Sequence, residues 1–227
     1  MSIFRSGATR RHMLGLGSAF ALAPALGPLA ARAQQAAGPN AAGAGKFSTE
    51  LLMASPPLPD VWLGDPKAPV TIIEYASMTC GHCARFEMEV FPLLKKNYID
   101  TGKARYAMRE FPLDPLAAAA AMLARCSGDK REAMIELLFA QQPHWAYVDK
   151  PLEALRDVVK QTGMGQKEFD ACLNDQALFN KIDQMRNEAA QKFGIDATPT
   201  FFINGDKKSG EIPPDALDKV LEPYLKK

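Results

Sequence analysis

Apolar positions along this chain follow two rhythms. Pro69-Val70-Thr71-Ile72-Ile73-Glu74-Tyr75 is a short β-branched and apolar run opened by proline, which predicts a buried strand. Beyond it, Phe86, Val90, Phe91 and Leu94 recur at helical spacing, so a helix begins at Cys80 and runs towards Lys96. Pro92 has no N–H to give the preceding turn and should kink that helix. Lys103 to Phe111 predicts a second strand. From Asp114 to Phe193 the sequence is rich in Ala, Leu and Met and reads as several helices. One runs from Pro151 to Gln161 and stops at Gly163; another puts Leu178, Ile182, Met185, Ala189 and Phe193 on one face and stops at Gly194. Strand character returns in Thr200-Phe201-Phe202-Ile203. Asn204-Gly205 is a two-residue hairpin turn, and a last helix spans about Pro213 to Leu225.

The order strand, helix, strand, helical block, hairpin, helix gives the α/β class: a mixed central sheet flanked by helices. The all-helical block, at about 112–193, is an insertion between the halves of one domain spanning 56–227. Gln34 to Ser48 is rich in Ala, Gly and Gln, and residues 34–55, with Pro56-Pro57 following, read as a flexible linker.

Residues 1–33 have a different character. Arg5, Arg10 and Arg11 precede an uncharged apolar stretch from Met13 to Leu29, and Ala31-Arg32-Ala33 offers a cleavage site. This is the three-part layout of an export signal. An uncleaved anchor is the alternative, but Gly15, Gly17, Pro24, Gly27 and Pro28 weaken a spanning helix. Thr9-Arg10-Arg11-His12-Met13-Leu14 is similar to a twin-arginine signal, so the Sec and twin-arginine routes both stay open. Either route leads out of the cytoplasm, here to the periplasm, where disulfides persist.

The formal net charge is +1 and no long basic run occurs, so neither nucleic acid nor an anionic membrane surface is an expected partner. Four cysteines are too few for a disulfide-built miniprotein and matter individually. Cys80-Gly81-His82-Cys83 places two thiols at a helix start. The first N–H groups of a helix are unpaired, and with the helix dipole they favour a thiolate over a thiol at Cys80. A lowered thiol pKa makes Cys80 a good leaving group in thiol–disulfide exchange and stabilises the reduced pair. His82 adds a donor and, when protonated, a positive charge beside the sulfur. The competing reading of a C-x-x-C is half a zinc site. That needs a second close pair, whereas Cys126 and Cys172 lie far apart and His144 stands alone, so no metal is expected.

Strand, C-x-x-C, helix, a late Ala197-Thr198-Pro199-Thr200 before a strand and the Asn-Gly hairpin together resemble the thioredoxin superfamily. The helical insertion resembles its DsbA-like branch, over nearly all of 56–227. The resemblance implies a thioredoxin fold and a cis Pro199 facing the active pair. It also implies pairing of the Thr198 backbone with an extended substrate near Gly81. It implies that Glu74 moves the proton of Cys83 and that Arg105 stands where the branch has a basic partner. Glu74 should also oppose the Cys80 thiolate by its charge.

With Cys80 and Cys83 assigned, Cys126 and Cys172 are left to each other, and an oxidising compartment favours a structural bridge over two thiols. The methionines at 108, 122, 134, 164 and 185 read as core filling, and His144-Trp145 as loop packing.

The expected function is that of an exported oxidoreductase which introduces disulfides into secreted or periplasmic proteins bearing free thiols. It should work as a monomer, without a small-molecule cofactor, and be reoxidised by a membrane partner. Two alternatives remain. Gly81-His82 resembles the dipeptide of eukaryotic disulfide isomerases, and Thr198 replaces an apolar residue, so an isomerase or reductase fits the same fold. A non-catalytic thiol-binding or metal-delivering module is the other.

Overall fold

The computed structural model describes residues 45–54 and 56–226. The export-signal reading of 1–33 and the first part of the linker lie outside the described residues. The sheet has four strands in the order β2-β1-β3-β4: β1 (Val70–Ala76), β2 (Ala104–Glu110), β3 (Thr200–Ile203) and β4 (Asp206–Ser209). β2 runs parallel to β1, and β3 and β4 are antiparallel to their neighbours. The hairpin turn is as expected, with Asn204 and Gly205 at φ 46° and 92°. Such positive φ values are what an Asn-Gly turn supplies.

Strand parity sorts the side chains. Val70, Ile72 and Ala76 face the larger core beneath the active helix and the insertion; Ile73 and Tyr75 face a smaller core with Phe193 and Phe202. Glu74 therefore shares the face of Ile72 and Ala76.

After Cys80 the chain is helical to Ile99: α2 (Gly81–Arg85), a wide turn over Phe86–Val90, α3 (Phe91–Leu94) and a second wide turn over Lys95–Ile99. The first wide turn absorbs Pro92, which falls in the opening turn of α3, where a missing N–H costs least; Phe91 N–H reaches back to Phe86 O.

The insertion comprises α4 (Pro115–Cys126), α5 (Arg131–Ala140), α6 (Gln142–Trp145), α7 (Pro151–Val159), α8 (Gln166–Leu173) and α9 (Gln176–Phe193). α9 buries Ile182, Met185, Ala189 and Phe193 as its spacing predicts and ends at Gly194 with φ 60°. His144 and Trp145 lie in α6 rather than in a loop, because Trp145 is fully buried and donates its indole N–H to Leu138 O at 2.8 Å. An ion cluster ties the insertion to the sheet: Glu110, 1% exposed, accepts from Arg125 (2.6 and 2.7 Å) and Arg131 (2.9 Å).

The flexible-linker reading is corrected for residues 45–54. They hold α1 (Thr49–Met53), capped by Ser48, and Phe47 N–H donates to Gly205 O at 2.8 Å. Phe47 meets Phe193 and Phe202 edge-on at 5.5 Å, and Leu52 is 2% exposed in the smaller core. Two large apolar side chains suffice to anchor a segment whose average composition is bland. The contact is close enough that a Cβ on Gly205 would stand 2.1 Å from Phe47 O. The last helix, α10 (Leu217–Leu225), buries Leu217, Leu221 and Tyr224.

Cys126 and Cys172 form a disulfide that joins the end of α4 to α8 across 46 residues of sequence. Closing a loop of that order restricts the unfolded chain and is worth ~2–4 kcal/mol. Replacing both with Ser is expected to lower the urea midpoint accordingly while thiol exchange at the other pair survives. A folded variant that no longer exchanges thiols would overturn this and point to a thiol relay.

Candidate active site

Cys80 is the N-cap of α2, with extended backbone (φ −83°, ψ 117°), so its sulfur sits at the unpaired N–H groups of the first turn. Both Cys80 and Cys83 are free thiols; Cys80 is 8% exposed and Cys83 1%, while Gly81 and His82 are exposed. The order of exposure is the expected one, although Cys80 is itself largely covered. Thr198 and Pro199 cover it: the Thr198–Pro199 peptide is cis, and Cys80 Sγ–H donates to Thr198 O at 3.3 Å. The Thr198 hydroxyl is buried and, among the described residues, has no hydrogen-bond partner of its own. It is placed to support the sulfur once the sulfur becomes an acceptor.

The hydrogen bonds around Cys80 outweigh its burial. The Cys83 thiol donates to it first of all; burial opposes, and the Thr198 side chain and the N–H groups of Cys83 and His82 add to the effect. The result is a Cys80 thiol lowered to about 5. Cys83 goes the other way. Burial pushes its thiol far above the ordinary range, with its hydrogen bond to Cys80 and the charges of Glu74 and Cys80 adding to the shift. The two thiols are thus separated into one that ionises readily and one that holds its proton.

Glu74 lies beneath the pair, 2% exposed. Burial holds its carboxyl well above the usual range; the Tyr106 hydrogen bond pulls it down, and the charges of Glu87 and Cys80 raise it further. Tyr106 Oη donates to Glu74 Oε2 at 2.5 Å. Arg105 does not fill the place of a basic partner. In the β1–β2 register it stands opposite Thr71, on the other face from Glu74. It donates there to Thr71 Oγ1 at 2.9 Å and lies over the Trp62 ring. The register puts Tyr106 and Met108 on the Glu74 face instead.

The structure adds residues that sequence reasoning missed. Gln142 of α6 donates to Met78 O (2.8 Å) and Cys80 O (3.1 Å), and Tyr147 donates to Thr79 O at 2.8 Å, so the insertion holds the loop entering the motif. Asp114, the α4 cap, accepts from Thr79 Oγ1 at 2.5 Å. Glu87 is buried near Glu132 and Glu136, and burial first, then their charges, pushes it up to about 8. Glu211 pairs with His82 and Arg85. Only Tyr106 had a sequence signal, its parity with Glu74 in paired strands; the others come from distant segments.

Known proteins match this chain in sequence and in fold. A family model described as Thioredoxin matches residues 58–223. A Rickettsia conorii protein named as a protein-disulfide oxidoreductase is 37% identical over 174 residues, 74% of this chain; the match spans 62% of the Rickettsia protein. The crystal structure of Wolbachia pipientis alpha-DsbA1 is 37% identical and superposes with a TM-score of 0.71, over 79% of this chain and 96% of that one. Bacillus subtilis BdbD, oxidised, shares the fold at 23% identity with a TM-score of 0.67, over 83% of this chain and all of that one (100%). The chain therefore belongs to the thioredoxin superfamily, in its DsbA-like branch.

Proposed function

We propose that this protein is an exported thiol–disulfide oxidoreductase that donates the Cys80–Cys83 disulfide to periplasmic proteins carrying free thiols. The observation that carries the reading is the split between the two thiols, with Cys80 lowered to about 5 at the helix start and Cys83 raised by burial above Glu74. A substrate thiolate attacks Cys80 Sγ, a Cys80–substrate bond forms, and Cys83 leaves. Cys83 departs into a buried site and takes a proton from Glu74. A second substrate thiolate then attacks the substrate sulfur of the mixed disulfide and expels Cys80 as a thiolate stabilised by the helix start. The new charge on Cys80 raises Glu74, so the carboxylate regains its proton.

Thr198 offers its backbone to an extended substrate beside Pro199 and the side-chain-free Gly81. The protein acts as a monomer with no small-molecule cofactor, and a membrane partner reoxidises the pair. Because Gly81-His82 and Thr198 also suit an isomerase or reductase, the poise of the pair decides between these roles.

Equilibration with glutathione buffers, read by alkylation and mass mapping, tests the proposal. An oxidising potential with preferential alkylation of Cys80 at mildly acidic pH is expected. A strongly reducing potential would make the protein a reductase, and absence of exchange would make it a binding module. The reduced fold should also lose stability relative to the oxidised one on acidification. Cys80 is an acid whose folded value is depressed, so its contribution is full above the ordinary thiol pKa and lost as pH falls through about 5.

A further inference from the structure

Glu211, in the loop after β4, reaches across to α2 and bonds to both of that helix's basic side chains. Arg85 Nη1 donates to the two carboxylate oxygens at 2.8 and 2.9 Å, and His82 Nδ1 bonds to Oε1. His82 holds the Glu211 carboxyl below the usual range, and Arg85 adds to this. The consequence for Cys80 is specific. His82 reaches its sulfur through the backbone N–H, while the ring is turned to Glu211 and, among the described residues, makes no hydrogen bond to Cys80. The ionisable groups facing the pair from the sheet and the insertion, Glu74 and Tyr147, are acids. α2 itself supplies the His82 imidazole and the Arg85 guanidinium, and both are hydrogen-bonded to Glu211.

We propose that Glu211 is a positioning residue that sets the redox poise of the Cys80–Cys83 pair by holding the His82 imidazole away from the Cys80 sulfur. This rests on the pair exchanging thiols as described above. Reduction consumes two glutathione thiols. It breaks the Cys80–Cys83 bond, forms glutathione disulfide, leaves one of the two thiol protons on Cys83 and releases the other to solvent, with Cys80 remaining a thiolate. A free, cationic His82 would stabilise that thiolate and draw the equilibrium towards the dithiol; Glu211 restrains it.

The experiment is glutathione equilibration and thiolate absorbance at about pH 6, where imidazoles in general carry charge. It compares wild type, Glu211→Gln, His82→Gln and the double variant. Glu211→Gln is expected to shift the equilibrium towards the dithiol by about two- to fivefold and to lower the Cys80 midpoint, as an exposed charge pair can do. High salt should shrink the shift. In the His82→Gln background the effect of Glu211→Gln should vanish. An unchanged equilibrium in Glu211→Gln, or an effect that persists undiminished without His82, would overturn the inference. Failure of the wild type to equilibrate at all would instead overturn the exchange reading.

Discussion

Cys83→Ala protein is expected to form a stable adduct with glutathione disulfide, one per chain and at Cys80, and to lose disulfide-donor turnover completely. The reason is the division of labour between the two sulfurs. Cys80 ionises readily and attacks or is attacked; in the glutathione adduct the internal nucleophile that can attack Cys80 Sγ and expel glutathione is Cys83, one turn into α2 and 1% exposed. Without it the adduct has no intramolecular exit. Adduct formation needs the thiolate, so its rate should fall on acidification; because the variant loses the Cys83 hydrogen bond, the first of the groups that lower Cys80, the fall should be centred above the wild-type value of about 5. Intact-mass spectrometry against pH reads both the stoichiometry and the midpoint. If Cys80→Ala gave the same adduct with the same profile, the assignment of nucleophile and resolving thiol would be reversed.

The sulfur chemistry was legible because it is local. A buried strand, a short turn and two thiols at a helix start lie within one stretch from Val70 to Phe86, and the N-cap position follows from that order alone. Glu74 also announced itself, as an acid inside an apolar strand. Its partner was missed by one residue. Arg105 and Tyr106 are neighbours in sequence, yet in a strand neighbours face opposite ways. Only the β1–β2 register decides that Tyr106 is under the active helix and Arg105 is over Trp62. Charge drew attention to the wrong face. The ion cluster of Glu110 with Arg125 and Arg131 was invisible for a related reason: charged residues read as solvent-facing until tertiary structure gives them partners. Glu211 meets His82 across 129 residues, and no local pattern marks such a contact. The anchoring of residues 45–54 turned on two side chains, Phe47 and Leu52, which an average over the segment concealed.

Substituting Gln for Glu74 is expected to slow the steps in which Cys83 gains or loses its proton by about 10²-fold, the lower end of what a positioned acid or base contributes. The side chain keeps its shape and can still accept from Tyr106 Oη, so the loss is that of a proton carrier rather than of packing. The sequence alone suggested a second effect, a fall in the Cys80 midpoint once an opposing charge is removed. The structure argues against it. Burial holds the Glu74 carboxyl well above the usual range, which favours its uncharged form, so the Gln substitution removes little charge that opposes the Cys80 thiolate. Thiolate absorbance should give an unchanged midpoint of about 5. Stability offers a control with a definite sign. Glu74 is an acid whose folded value is raised, so its burial costs nothing below the ordinary carboxylate pKa and progressively more as pH climbs towards the folded value. The Gln variant should match wild type in acid and melt higher at neutral and alkaline pH. Slowed resolution in a protein that is more stable and has an unshifted thiolate would assign Glu74 as the proton carrier for Cys83. Unchanged resolution kinetics in that same protein would reduce Glu74 to a structural residue.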